Sequence, residues 1–426
     1  MGRRIWALMS VATLALAVMV SSGGAASADP ISSTGPLTSI TTTPDLNCAV
    51  NHAGDTDGEW YGGTACGTFV ATGGSVYGPV SVPAGFSPSR WTPVSQSNSG
   101  SGSAASPFTI TTAVTNGVGL DVTQVDSYVE GQESYRTDVT LHNTTAAPMP
   151  VILYRAGDCY LADSDVGFGR VDGSAPTCVA VDPTTHAAGT RVEQLLPLTG
   201  GSDYVEDYYG TVWSDVHSGA PLPNTCACST AIDNGMGLSW SATLAPGASA
   251  SFAHLTTFSP TGQVPVQVDI QADASTAIAS STDGYTVTMT NDNATPATID
   301  SVATQLPQGF SYQTGTTTGA TTADPQINGQ TMTWSGPFTI PAHGTVTYHY
   351  DVTVASTDGH YESSVDGASS TATVANSLDT APIDVAAVQP LPAFPVKGLP
   401  IAGLIVVAAA GVVVWRRRRS RTQHTA

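Results

Sequence analysis

Lysine is absent from this 426-residue chain until Lys397, and arginine is scarce. Of the 13 Lys and Arg, Arg3 and Arg4 open the chain, while Lys397, Arg416–Arg419 and Arg421 close it. Only Arg90, Arg136, Arg155, Arg170 and Arg191 remain between them, against all 33 carboxylates. Such a surface repels nucleic acid and anionic polymers, and favours divalent cations or cationic partners. With no ε-amine before Lys397, a Lys–Asn amide cross-link cannot form in the body of the chain. Hydrolytic signatures are missing too: there is no Gly-x-Ser-x-Gly elbow, no His-Glu-x-x-His and no phosphate-cradling glycine loop. No catalytic role is expected.

An amphipathic helical pattern of useful length is also missing outside the two termini. What stands there instead is a uniform texture of short alternating runs of Val, Thr, Tyr and Ile, punctuated by Gly, Pro, Asn and Asp. That texture predicts an all-β protein.

The termini carry the long apolar runs. Arg3 and Arg4, the stretch Ile5–Val20 and the small-residue site Ala26-Ser27-Ala28 read as a signal peptide, residues 1–28, cut before Asp29. Leu399–Trp415 is free of charge and is followed at once by four arginines. At about 1.5 Å per residue it makes a helix near the short end of what spans a bilayer. Arginine accumulates on the cytoplasmic side, which predicts a transmembrane helix over 399–415 and a basic cytoplasmic tail over 416–426. Everything between is expected to be an extracellular ectodomain on a single-pass cell-membrane protein. The proline-rich segment 387–398 reads as a short semi-rigid stalk.

All six cysteines (Cys48, Cys66, Cys159, Cys178, Cys226, Cys228) fall in the first half of that ectodomain. An even number outside the cell implies disulfides. Local pairs Cys48–Cys66 and Cys159–Cys178 are the first expectation, which would oblige Cys226 to bond Cys228 in a very short ring. Cross-pairing of Cys226 and Cys228 with the other segments is the expectation favoured here.

Two stretches share a signature. Tyr135–Asn143 and Tyr285–Asn291 are alternating strands that end at Asn. Leu238-Ser-Trp240 leads to Leu244-Ala-Pro-Gly247 and a further strand, as Met332-Thr-Trp334 leads to Ile340-Pro-Ala-His-Gly344 and a further strand. The pattern predicts two extracellular β-sandwich domains, residues 29–260 and 261–386, divided near Pro260–Pro265.

Val264–Val385 resembles the "conserved repeat domain" of bacterial surface proteins, a domain of unknown function. The matching pieces are Tyr285–Asn291, the turn Leu306-Pro-Gln-Gly-Phe310, Met332–Trp334, and Ile340–Gly344 followed by Tyr348–Val354. The resemblance implies an immunoglobulin-like sandwich that serves as a spacer or adhesive module without an active site.

Candidate sites are few. Asp158, Asp163 and Asp165 crowd one loop, the right material for calcium, although the EF-hand spacing is absent and turn-forming aspartate is the ordinary reading. Calcium is the one candidate ion; no other cofactor is expected. Trp60, Tyr204, Tyr208, Tyr209 and Trp213 stand beside carboxylates and are the candidates for stacking on a sugar, although core aromatics on alternating strands are the favoured reading. Glu206 and Asp207 are adjacent on an expected strand and point to opposite faces, which ill suits a glycosidase pair. Leu196-Pro-Leu-Thr-Gly200 has the form of a wall-anchoring signal but lies some 200 residues from the anchor, so covalent wall attachment is not expected. The function these features predict is a non-catalytic bacterial cell-surface protein in adhesion or envelope structure. A carbohydrate-binding receptor is the alternative, and a glycoside hydrolase the second. The expected partners are the membrane and, outside it, glycans or surface proteins; nucleic acid is not one.

Overall fold

Alternation of apolar and polar side chains is repaid in the structure, a computed structural model that describes residues 28–82, 86–103, 106–377 and 380–387. Leu120–Tyr128 buries every second side chain, and Ser134–Asn143 follows the same rhythm. The protein is all-β, with several sheets, one α-helix and one short 3-10 turn among the described residues. The expected signal peptide (except Ala28), the stalk beyond Ala387, the span 399–415 and the tail 416–426 lie outside the described residues. Among those described, no helix is long and apolar enough to cross a membrane.

Strands up to Ser259 form a small three-stranded sheet (Ile31–Ser32, Leu37–Thr42, Cys48–His52) and one long sheet of fifteen strands. Ile232–Leu244 holds the long sheet together. Over most of its 13 residues it pairs with Met149–Asp158 on one side and Asp203–Tyr208 on the other, while Ile232 and Asp233 pair with Val166–Asp172. One strand therefore belongs to both runs of the sheet, which close over a core that includes Trp60, Leu141, Leu153, Trp240 and Phe258.

Strands from Val266 onward form two six-stranded sheets. One is built on Val266–Ala272, Thr282–Asn291 and Gly344–Thr353, the other on Ala297–Gln305, Thr331–Ile340 and Gly359–Ala368. They share a core centred on Trp334, whose ring lies 5.0 Å from that of Tyr348 and 4.8 Å from that of Tyr350. No lysine or arginine occurs in this stretch. A separate apolar cluster, Ala175, Leu196, Leu198, Ala253, Leu255 and Ala375, joins the first set of strands to the second. Leu196 and Leu198 of the wall-anchoring-like pentapeptide 196–200 are buried in it.

The recurring strand-ending asparagine has a physical cause. Asn143 is buried, and its Nδ2 donates to the carbonyls of Ala147 (2.7 Å), Leu244 (3.1 Å) and Ala245 (3.2 Å). Asn291 does the same to Thr295 (2.9 Å), Ile340 (3.4 Å) and Pro341 (3.1 Å). Each pins a strand end to the Pro-containing turn that follows the buried-Trp strand.

One expectation is overturned. Tyr209–Ser218 is an α-helix, in a region read as strand. Val212, Trp213 and Val216 fall on one helical face and pack with Phe69, Phe86, Tyr154 and Leu222. The helix ends at Gly219, which takes a left-handed φ of 68° and donates its N–H to Val216 O.

Candidate binding surface

The disulfides fix the loops first. Cys48 bonds Cys66, Cys159 bonds Cys178 and Cys226 bonds Cys228, so the favoured cross-pairing of the last two is corrected. Thr225–Cys226 pairs with the 203–208 strand, which holds Cys226 beside Glu206, its Sγ 3.4 Å from Glu206 Oε2.

Cys159 starts the loop that carries the expected calcium ligands. Trp60 forms a bridge with Cys159, and Tyr160 N–H donates to Glu59 O at 2.9 Å, so the 53–65 loop and the 159–165 loop are tied side by side. Trp60 itself is fully buried, edge-on to Phe258 at 6.3 Å. Trp213 is 4% exposed and stacks on Phe86 at 5.7 Å. Neither offers a ring face to a ligand, and both are core residues. Tyr204 is half-buried against the main core.

Four tyrosines do reach the surface here. Tyr61, 50% exposed, lies 6.0 Å from Tyr160; Tyr208, 45% exposed, lies 4.5 Å from Tyr209. Carboxylates connect the two pairs. Burial, then Asp165, Asp57 and Asp163, push the Tyr160 hydroxyl up. The Tyr209 hydroxyl is raised to about 12, first by its hydrogen bond with Tyr208 and further by Asp233 and Asp158.

Asp158 is the buried floor of this surface. Its Oδ1 has no hydrogen-bond partner, and burial, then Asp233 and Asp165, raise it to about 8. Asp165 is raised by burial and its Oδ1 is likewise unpartnered. Asp163 is different: it accepts from the backbone N–H of Asp57 (2.9 Å) and Thr56 (3.2 Å), which hold it low. The three expected calcium ligands therefore do not converge. The acidic neighbour of Asp158 and Asp165 is instead Asp233, brought in by the pairing of Asp158 with Gly235. Nothing in the sequence marks that approach.

Glu206 is fully buried, accepts from Asn234 Nδ2 at 3.0 Å and is raised to about 7 by burial. Asp207 is half-buried on the opposite face of the strand. A separate trio, His52, Asp55 and Glu59, brings three ligand atoms within 4.8 Å of one another. Arg191 already occupies it: Nη1 lies 2.8 Å from Asp55 Oδ1, Nη2 3.0 Å from Glu59 Oε1, and Nη2 also pairs with Asp55 Oδ2.

No protein family matches the chain, including the one that its second half resembles, and no curated protein does either. Solved structures with weak similarity include bacterial surface proteins and glycan-acting enzymes. A collagen adhesin from S. aureus is 7% identical, with 59% of this chain and 87% of that one covered and a TM-score of 0.20. A membrane-anchored protein from Corynebacterium diphtheriae is 11% identical over 86% of this chain and 91% of that one, at 0.21. The heparan sulfate lyase HepC from Pedobacter heparinus is 9% identical over 45% of this chain, at 0.24, and the chain spans about a quarter of its length (26%). Similarity at this level carries no inference about function.

Proposed function

We propose that this chain is a non-catalytic, single-pass bacterial cell-surface protein with an adhesive or envelope-structural role, anchored by residues 399–415 with its C-terminal tail inside. Residues 29–260 form the recognition module, and 261–386 an immunoglobulin-like spacer above a short proline-rich stalk. The observation that carries this reading is the surface where Tyr61 and Tyr160, in disulfide-closed segments, and Tyr208 and Tyr209, at the start of the helix, lie with Asp158, Asp165 and Asp233. Rings beside carboxyl groups that no lysine or arginine pairs, with Asp158 holding its proton up to about pH 8, suit a partner that offers hydroxyls. Three paired disulfides are in keeping with an oxidising, extracellular setting.

A second reading, carbohydrate recognition, is favoured by the exposed faces of Tyr61 and Tyr208. The test is binding of the full-length protein in detergent to arrays of glycans, envelope polysaccharides and surface proteins. Saturable glycan binding lost in Tyr208→Ala and Tyr61→Ala establishes the lectin reading. Protein binding lost in the same variants establishes adhesion. Binding that survives both substitutions removes this surface from either account.

A further inference from the structure

The second half of the chain holds a cluster that the proposed function does not use. Asp273 directly follows the strand Val266–Ala272, and its N–H donates to Gly284 O at 2.9 Å. His349 and Asp351 lie two apart on Gly344–Thr353, so they share one face of the sheet. Tyr348 and Tyr350, between and beside them, face the core. Register sets Thr286 opposite His349 and Gly284 opposite Asp351.

The three polar side chains converge over the glycine. His349 Nε2 lies 2.8 Å from Asp273 Oδ2 and 3.8 Å from Asp351 Oδ1, and the three ligand atoms all fall within 4.8 Å of one another. Each side chain is partly open to solvent, at 32%, 45% and 35% for His349, Asp273 and Asp351.

Gly284 explains how they can meet. A Cβ there would stand 2.5 Å from both Asp273 Oδ2 and His349 Nε2. Its backbone is not in the left-handed region, so the glycine is required by the space above it and not by its own conformation. The floor is therefore cut away beneath the point where the donors meet.

Charge points the same way. From Val192 to Val396 the chain has no lysine or arginine. The similar trio in the first half, His52, Asp55 and Glu59, is neutralised by Arg191, whereas here no such side chain is available. A third carboxylate, Asp283, feels both Asp273 and Asp351, and its group is raised first by burial.

We propose that Asp273, His349 and Asp351 form a binding site for a divalent transition-metal ion of the zinc class on the outer face of this sheet. One imidazole nitrogen with two carboxylate oxygens is a borderline donor set. It suits zinc better than calcium, which takes oxygen donors alone. Partial exposure leaves room for a fourth ligand from water or from another molecule.

The test uses the full-length protein in detergent, stripped with chelator, equilibrated with zinc chloride and then analysed for bound metal. Cobalt(II) in place of zinc adds a visible absorption band that reports its coordination. The wild type is expected to retain one equivalent, and His349→Ala, Asp351→Asn and Gly284→Ala to lose it. Gly284→Ala is the discriminating variant, because its backbone tolerates alanine while the added methyl displaces the donors. Its metal-free thermal midpoint serves as the check on folding. His360→Ala, at an imidazole bonded to Asp384 and Glu362, is expected to retain the metal. No retained metal in the wild type, or an equivalent that persists in His349→Ala, overturns the proposal.

Discussion

Asn143 and Asn291 hold equivalent posts in the two halves of the chain: each ends a strand and donates its amide to three backbone carbonyls of the neighbouring turns. The turns carry prolines, which have no N–H of their own to offer. Without the side-chain amide, buried carbonyls go unpaired.

Replacement of Asn291 by Ala is accordingly expected to cost about 2 kcal/mol, since a buried acceptor left unpaired costs more than the net value of its bond. Urea denaturation checks this through a lower midpoint at an unchanged slope. Asn143→Ala should behave alike.

Trp213 and Tyr208, close in sequence, should respond oppositely to truncation. Trp213→Ala empties a buried site between Phe69 and Phe86 and should cost about 3–5 kcal/mol. Tyr208→Ala, at an exposed ring, should leave stability within about 0.5 kcal/mol. Paired denaturation curves decide it, and equal losses would contradict the burial described for the helix.

Asp158 makes stability depend on pH. Its folded value, about 8, lies above the ordinary 3.8 because burial, Asp233 and Asp165 all disfavour the charge. A raised acid contributes fully below its ordinary value and loses that contribution as pH rises through its folded value. Asp158→Asn should therefore match the wild type near pH 3.5 and exceed it increasingly up to about pH 8, by at most about 1.4 kcal/mol per pH unit. Thermal midpoints across that window would reveal the divergence, and parallel curves would refute it.

The disulfides should differ in worth by the loop each closes. Cys48–Cys66 spans 18 positions and should contribute about 3 kcal/mol on the chain-entropy account. Cys226–Cys228, with a separation of 2, should contribute roughly half of that. Alanine pairs at each bridge, compared by denaturant midpoint, supply the check.

Strands such as Ser134–Asn143 were legible because every second residue shares a face, and that rhythm survives any tertiary context. The helix was not. Tyr209, Val212, Trp213 and Val216 have helical spacing, but Tyr, Val, Thr and Trp are strand-favouring types. Docking onto Phe69 and Tyr154 decides the matter, and local preference does not record it. The candidate surface was half legible. Tyr208 and Tyr209 stand out beside acidic residues, whereas Asp233 reaches Asp158 only through the register of Asp158 with Gly235. Asp163 misleads for the converse reason: close to Asp158 in sequence, it turns to the backbone of Thr56 and Asp57. Asp273 and His349 meet across 76 residues, a distance that only strand pairing can close.

Both sheets beyond Val266 are assembled without a single lysine or arginine, and so is the strand Ile232–Leu244 before them. Proteases of the trypsin type cut only after those two residues. From Val192 to Val396 they find no bond to attack, folded or unfolded. The next site, Lys397, comes after the last described strand, Ala381–Ala386. A cut there alone would leave the preceding sheets in one piece, with the Asp273–His349–Asp351 cluster and the tyrosine-lined surface on the same fragment.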